Sequence, residues 1–262
     1  MHYLESCRFM TPRSPQGLPA ETKLSAAIHR YLTFMQAEEN KSTLTIKNYR
    51  QSLDLLLLLS PVRDPKNFDK ESIRNFKQSL HEFRTRGAKE LTVRSKNHHL
   101  TILRAFLRYL LQEEEMDVYP PDRVKRLKEE QRKVKVLYKE ELDRLLNAPN
   151  GQTREGKRDR AILELFFSTG LRLIELRSLN RRDMNFSSRE ISVRGKRGKI
   201  RVVFLSPQAI NALKEYLDIR LDHLDPLFIN YFSKAAHAMP PGEKFRLSSN
   251  NIYRIVKRCA RE

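Results

Sequence analysis

The residues best suited to chemistry lie around a glycine turn in the second half of the chain. Gly170 is followed by Leu171, Arg172, Leu173, Ile174, Glu175 and Leu176, which puts an arginine at the start of a helix. Free backbone N–H groups and the positive end of the helix dipole favour an anion there, and an arginine adds a bidentate fork that fits phosphate. Glu175, one turn on, would hold the guanidinium in a fixed orientation. An ordinary i,i+3 surface ion pair has the same spacing. A second cluster, Arg194, Gly195, Lys196, Arg197, Gly198 and Lys199 with Arg201 following, has no acidic residue between Ile191 and Arg201. Two glycines permit a tight hairpin, whose tip can enter a DNA groove or press a lysine against a leaving oxygen. A desolvated ammonium of lowered pKa can donate a proton there. An edge hairpin kept soluble by lysines reads the same way, so alone this cluster indicates phosphate or nucleic acid.

The whole-chain charge agrees. Among 262 residues, 51 Lys and Arg face 32 Asp and Glu, for a net charge of +19. That balance disfavours an enzyme of acidic metabolites and points to a polyanion, most often nucleic acid, although a basic surface also serves solubility. A hydrophobic share of 39% is enough for folded domains. The two cysteines, Cys7 and Cys259, stand at opposite ends without His or Cys at ligand spacing, which argues against a zinc site or disulfide framework and fits a reducing cytoplasm. Residues 1–20 carry three prolines and no apolar signal core, so a disordered tail is expected. The leucine run Leu55–Leu59 is far shorter than the roughly 20 residues of a bilayer span, and no membrane partner is expected.

The elements that must position these clusters follow from periodicity. Leu24, Ile28, Tyr31, Leu32 and Met35 form one helical stripe, and Ile46, Tyr49, Leu53, Leu56 and Leu57 a second. A third helix begins after Asp69 with Ile73, Phe76, Leu80 and Phe83, and a fourth from about Thr92 with Leu100, Leu103, Leu107 and Leu110. Arg94, Lys96, Arg104 and Arg108 are expected on the polar side of the fourth, following a phosphate backbone or simply solvated. The pattern breaks at Tyr119, Pro120 and Pro121, and residues 123–135 hold seven basic residues, among them Arg123, Lys125, Arg126, Lys128, Arg132 and Lys133, against Glu129 and Glu130. Residues 117–136 therefore read as a basic linker between a helical domain, 21–116, and a second domain, 137–262. The second domain reads as α+β. It has short helices around Leu142–Leu146, Ala161–Phe166 and Leu176–Leu179, strands at Ile191–Val193 and Val202–Leu205, and a Ser206-Pro207 helix start. A strand at Leu227–Ile229 and a last helix capped by Ser248 or Ser249 complete it.

Together these features resemble the tyrosine recombinase family, which includes phage integrases and Xer recombinases, over nearly the whole chain. Ser168-Thr169-Gly170-Leu171-Arg172 with Glu175-Leu176, Leu179 and Asp183 resembles the family's first arginine box, and Val193–Leu205 its lysine hairpin. Thr43–Leu53 with Tyr49, and the fourth helix with Leu103, Phe106 and Tyr109, resemble its core-binding domain. The resemblance implies a mainly α, α+β chain: a helical, SAM-like core-binding domain, then an incomplete, mostly helical catalytic domain with a small antiparallel β-hairpin. It implies duplex DNA as partner, a homo-oligomer or paired recombinase on DNA, and strand exchange through a 3′-phosphotyrosine without metal or nucleotide cofactor. Arg172 would bind the scissile phosphate, Glu175 would orient it, and Lys196 would protonate the departing 5′ oxygen. Arg197, Lys199 and Arg201 would join the linker and fourth-helix cations on DNA.

The family's His-x-x-Arg box and nucleophilic tyrosine would follow the helix at Asn250–Arg261 and find no counterpart before Glu262. His81-Glu82-Phe83-Arg84 spells the box but lies upstream of Arg172, and Tyr253 precedes the position expected of the nucleophile. Tyr138 replaces the usual Thr or Ser cap, Arg197 a usual glycine and Phe204 a usual proline; the change at 197 could move the catalytic role to Lys199. The expectation is a chain that binds DNA without cutting it. The alternative is a non-catalytic remnant or regulator that occupies recombination sites.

Overall fold

The computed structural model describes residues 22–85, 87–130, 136–195, 198–231 and 242–261. The expected tail, Cys7, Arg132, Lys133, Lys196 and Arg197 lie outside them. The chain divides into two units, residues 1–133 and 134–262, each with its own core.

The first unit packs α1 (Lys23–Ala37), α2 (Thr43–Leu59), α3 (Lys70–Glu82) and α4 (Val93–Gln112). A hydroxyl or carboxylate starts each one. Thr22, Ser42, Asp69 and Thr92 accept the N–H groups of Ser25, Thr45, Ser72 and Ser95, a cap that contributes about 1 kcal/mol each. The stripes meet in a core of Leu24, Met35, Leu53, Leu56, Phe76, Leu103 and Phe106, with the Tyr31 ring 4.9 Å from that of Tyr109 and 5.5 Å from that of Phe106.

Two expectations for this unit need correction. Lys96 does not stand with Arg94, Arg104 and Arg108 on an exposed face. It is buried, with its Nζ 2.9 Å from His81 Nδ1. Position 96 falls in line with Leu100, Leu103 and Leu107 at helical spacing, so the fold draws its aliphatic stem inward and His81 receives the ammonium. Nor do residues 117–127 form a free linker. Val118, Pro121 and Val124 are buried against the first core. The Asn97 side chain accepts the Leu127 N–H at 2.7 Å and donates to the Leu127 carbonyl at 2.9 Å, closing the segment onto α4.

The second unit comprises α5 (Lys139–Asn147), α6 (Arg154–Thr169), α7 (Leu173–Ser178), β1 (Glu190–Arg194), β2 (Ile200–Phe204), α8 (Pro207–Asp218) and α9 (Ser249–Cys259). Gly156 in the first turn of α6 has no room for a side chain: a Cβ there would lie 1.7 Å from the Asn150 carbonyl oxygen. Gly170 ends α6 in the left-handed region at φ 60°, which a residue without Cβ adopts at little cost. β1 and β2 pair antiparallel with Ile191 opposite Val203 and Val193 opposite Arg201. Ser206 caps α8 and Ser248 caps α9.

Leu227, Phe228 and Ile229 are buried as an apolar run should be, yet they form no strand. Leu227 donates to the Leu179 carbonyl at 2.9 Å, while Phe228 accepts from Leu247 at 2.9 Å. Their backbone groups are divided between two different segments, so no ladder builds up. Among the described residues no helix is long and apolar enough to cross a membrane.

Candidate active site

Glu175 is the centre of the arrangement. Its side chain is only 3% exposed, and each oxygen accepts two hydrogen bonds. Oε1 accepts from Arg172 Nη1 at 3.0 Å and Arg201 Nη1 at 2.9 Å; Oε2 accepts from the Arg172 backbone N–H at 2.8 Å and Arg201 Nη2 at 2.8 Å. Hydrogen bonding from Arg201 is the main cause that pulls its carboxyl down to about 2. Burial opposes the shift, and the Arg172 backbone and side-chain bonds add to it.

Arg172 is the residue immediately before α7, held extended at φ −70° and ψ 151° by the bond from its N–H to Glu175. Its side chain is 68% exposed and commits a single guanidinium nitrogen to Glu175. With the side chain largely exposed, its guanidinium keeps N–H groups that Glu175 does not engage.

The hairpin reaches the same place through Arg201 on β2. Gly195 donates to the Lys199 carbonyl at 2.7 Å and closes the turn, and Gly198 takes φ 76°. A Cβ on Gly195 would lie 3.6 Å from Glu175 Oε1 and 3.4 Å from Arg201 Nη1, so the base of the turn stands at the edge of the carboxylate. The far end of β2 is pinned as well. Ser168 Oγ donates to the Phe204 carbonyl at 3.1 Å and accepts the Ser206 N–H at 2.7 Å, fastening the strand to the last turn of α6. Lys199 is exposed beside the turn, whereas Lys196 and Arg197 lie outside the described residues.

The structure therefore brings together Arg172, Glu175 and Arg201, and places Lys199 on the hairpin they anchor. Arg201, assigned from sequence to DNA, is committed to Glu175; its 26-residue separation from that partner left no local signal. In the first unit, Arg94, Arg123, Lys125, Arg126 and Lys128 are exposed, and Arg104 and Arg108 share Asp122 at 3.0 and 3.3 Å. His81 and Arg84 belong to this unit too. Arg84 Nη1 donates to the carbonyls of His81 and Glu82 and its Nη2 to Glu90, closing the end of α3. Tyr253 is partly buried on α9 with Lys257 Nζ 5.7 Å from its ring centre. Among the described residues no group of three or more His, Cys, Asp or Glu is arranged to hold a metal ion.

A buried ionic cluster, without a counterpart in the sequence expectations, supports α6 behind the site. Asp159 is fully buried. Its Oδ1 accepts from Arg158 Nε at 2.9 Å and Nη2 at 2.7 Å, and its Oδ2 from Arg258 on α9. Arg158 Nη1 donates to the Ile229 carbonyl at 3.0 Å.

Comparison with known proteins gives matches over both units. The phage integrase family matches residues 135–262, and the phage integrase N-terminal SAM-like domain matches residues 28–114. A tyrosine recombinase XerC of Thermodesulfovibrio yellowstonii is 31% identical over 244 residues, covering 89% of this chain and 75% of the relative. The XerC of Bacillus pumilus is 32% identical over 197 residues, or 75% of this chain, and that of Syntrophus aciditrophicus 36% over 200 residues, or 72%. The matched stretch spans 64% and 63% of those two relatives. Among solved structures, a dimer of lambda integrase residues 75–356 bound to a COC' core site matches at TM-score 0.67 and 16% identity, covering 90% of this chain and 80% of that one. XerH site-specific recombinase bound to its difH substrate matches at TM-score 0.59 and 20% identity, covering 90% and 67%.

Proposed function

Because the chain belongs to the phage integrase family of tyrosine recombinases, we propose that its 262 residues bind duplex DNA and hold the scissile phosphate at Arg172. Residues 21–116 serve as the core-binding domain, and residues 137–262 supply part of the catalytic domain. The observation that carries this reading is the Glu175 grip: it fixes Arg172 from behind, leaves its side chain largely exposed, and sets the hairpin beside it. In that reading Arg172 binds the non-bridging oxygens, Glu175 orients it, and Lys196, or Lys199 in its place, protonates the leaving 5′ oxygen. Exposed Arg94, Arg123, Lys125, Arg126 and Lys128 supply backbone contacts, which position the protein without reading sequence. Strand exchange through a phosphotyrosine, in an assembly of several copies on DNA, is the activity to which this part contributes.

Phosphoryl transfer needs an in-line nucleophile and several donors around the phosphate. These 262 residues offer no counterpart of the family's His-x-x-Arg box or nucleophilic tyrosine downstream of α9. We therefore expect them to bind DNA without forming a covalent adduct. The test begins with duplexes selected by the chain from a random-sequence pool. Ethylation interference on the selected duplex should show Arg172→Ala losing its effect at one phosphate while the other contacts persist. Even weakening along the whole site would return Arg172 and Glu175 to an ordinary ion pair. A shifted, protease-sensitive band on a denaturing gel, abolished by Tyr253→Phe, would show that these residues form a complete enzyme.

A further inference from the structure

The four bonds on Glu175 are not equivalent in what they cost the donors. A carboxylate has about four lone-pair sites, and here all four are filled. Arg201 gives two parallel guanidinium bonds, the fork arrangement that is strongest for this pair. Arg172 gives one guanidinium bond and one backbone bond. Two arginines and one carboxylate leave a single net positive charge, and the more exposed member of the trio is Arg172, at 68% against 38% for Arg201. Without Arg201 the remaining pair would be neutral. Two vacated lone pairs would then face the Arg172 fork, and a bidentate closure of Arg172 onto Glu175 would withdraw its N–H groups from solvent.

We propose that Arg201 is a positioning residue: by occupying and neutralising Glu175, it keeps the charge and the remaining N–H groups of Arg172 available to a DNA phosphate. The inference rests on the reading of Arg172 as the phosphate ligand. The same fork has a second effect. Arg201 lies on β2 opposite Val193, and a Cβ on Gly195 would stand only 3.6 Å from Glu175 Oε1, so the bond that frees Arg172 also holds the hairpin base near it. Arg201 is thus removed from the set of direct DNA contacts and placed behind the contact that matters.

The test uses the full chain, the selected duplex, and two readouts: binding by fluorescence anisotropy, and the Nε–H resonance of Arg172 in nitrogen-15-labelled protein. Arg201→Gln should raise Kd roughly tenfold, the loss of one charge-assisted contact. Its Arg172 resonance should shift in the free protein and stop responding to DNA. Glu175→Gln added to Arg201→Gln restores the net charge and should recover most of the binding and the response. Arg201→Lys, which keeps the charge without the fork, should retain the response, and it carries the test if Arg201→Gln does not fold. An Arg172 resonance that responds to duplex equally in wild type and Arg201→Gln overturns the inference alone. So does a double variant no better than Arg201→Gln, or a folded Arg201→Lys without response. An Arg172 resonance indifferent to duplex in the wild type overturns the phosphate reading and this inference with it.

Discussion

Replacing Glu175 by Gln should destabilise the second unit in a way that depends on pH. In the folded chain the carboxyl titrates at about 2 against an ordinary value of 4.5. That difference corresponds to about 3 kcal/mol, which solvent around the partly exposed Arg201 and Arg172 reduces to about 2 kcal/mol. Between pH 4.5 and pH 2 the unfolded chain binds the proton that the folded chain does not, so stability rises with pH over this interval. The contribution is complete above pH 4.5 and disappears as pH falls through 2. Urea unfolding of wild type and Glu175→Gln at pH 7, 5, 4 and 3 measures it. The gap between the two should be about 2 kcal/mol at pH 7 and 5 and should narrow steadily below. A gap of the same size at every pH would show that Glu175 acts through shape and not through charge, and the electrostatic account of the site would fail.

Asp159→Ala should cost about 3 to 5 kcal/mol in urea unfolding, because it strands the buried Arg158 guanidinium without its counter-ion; a loss under about 1 kcal/mol would refute this. Gly156→Ala should lower the thermal midpoint of the second unit by more than Gly170→Ala, since its added methyl meets backbone at 1.7 Å, while at position 170 a methyl has open space and adds only the strain of a left-handed backbone. Burial holds the His99 imidazole down to about 4, so it folds neutral; stability should climb with pH between about 4 and 6.5, and His99→Leu should flatten that climb in denaturant titrations at fixed pH. Duplex binding by the full chain should weaken with salt at a slope near −5 on a double-logarithmic plot if about 6 phosphates are neutralised, and a slope near zero would remove the basic surface from the interface.

Helix positions were legible wherever a local rule acts alone. Asp69, Thr92 and Ser206 announced three starts, Gly170 a stop, and the leucine stripes the buried faces. The tip glycines, with Ile191 and Val193 on one side and Val202 to Leu205 on the other, likewise announced the hairpin. What escaped depends on partners far along the chain. Leu227–Ile229 is apolar enough for a strand, but its hydrogen bonds are claimed by residues 179 and 247. Lys96 follows the periodicity of the core, yet its charge argued for the surface until His81 appeared beside it. At the site, Arg172 and Glu175 were visible as a pair three residues apart. Arg201 looked like one more cation in a basic hairpin, since nothing within its own strand shows that a carboxylate 26 positions upstream would claim both its terminal nitrogens.

The Asp159 cluster also has a consequence for how the chain is made. Arg158 and Asp159 are neighbours and can pair as soon as α6 emerges, but Arg258 is separated from Asp159 by 99 positions. At roughly 5 to 20 residues per second, that partner leaves the ribosome some 5 to 20 s later. During the wait α6 carries a half-satisfied carboxylate, and the hairpin and Glu175 can assemble on a helix not yet locked from behind. The arrival of α9 is then the event that fills the second oxygen of Asp159, so a ribosome stalled before residue 258 should present a nascent chain whose α6 remains open to proteolysis.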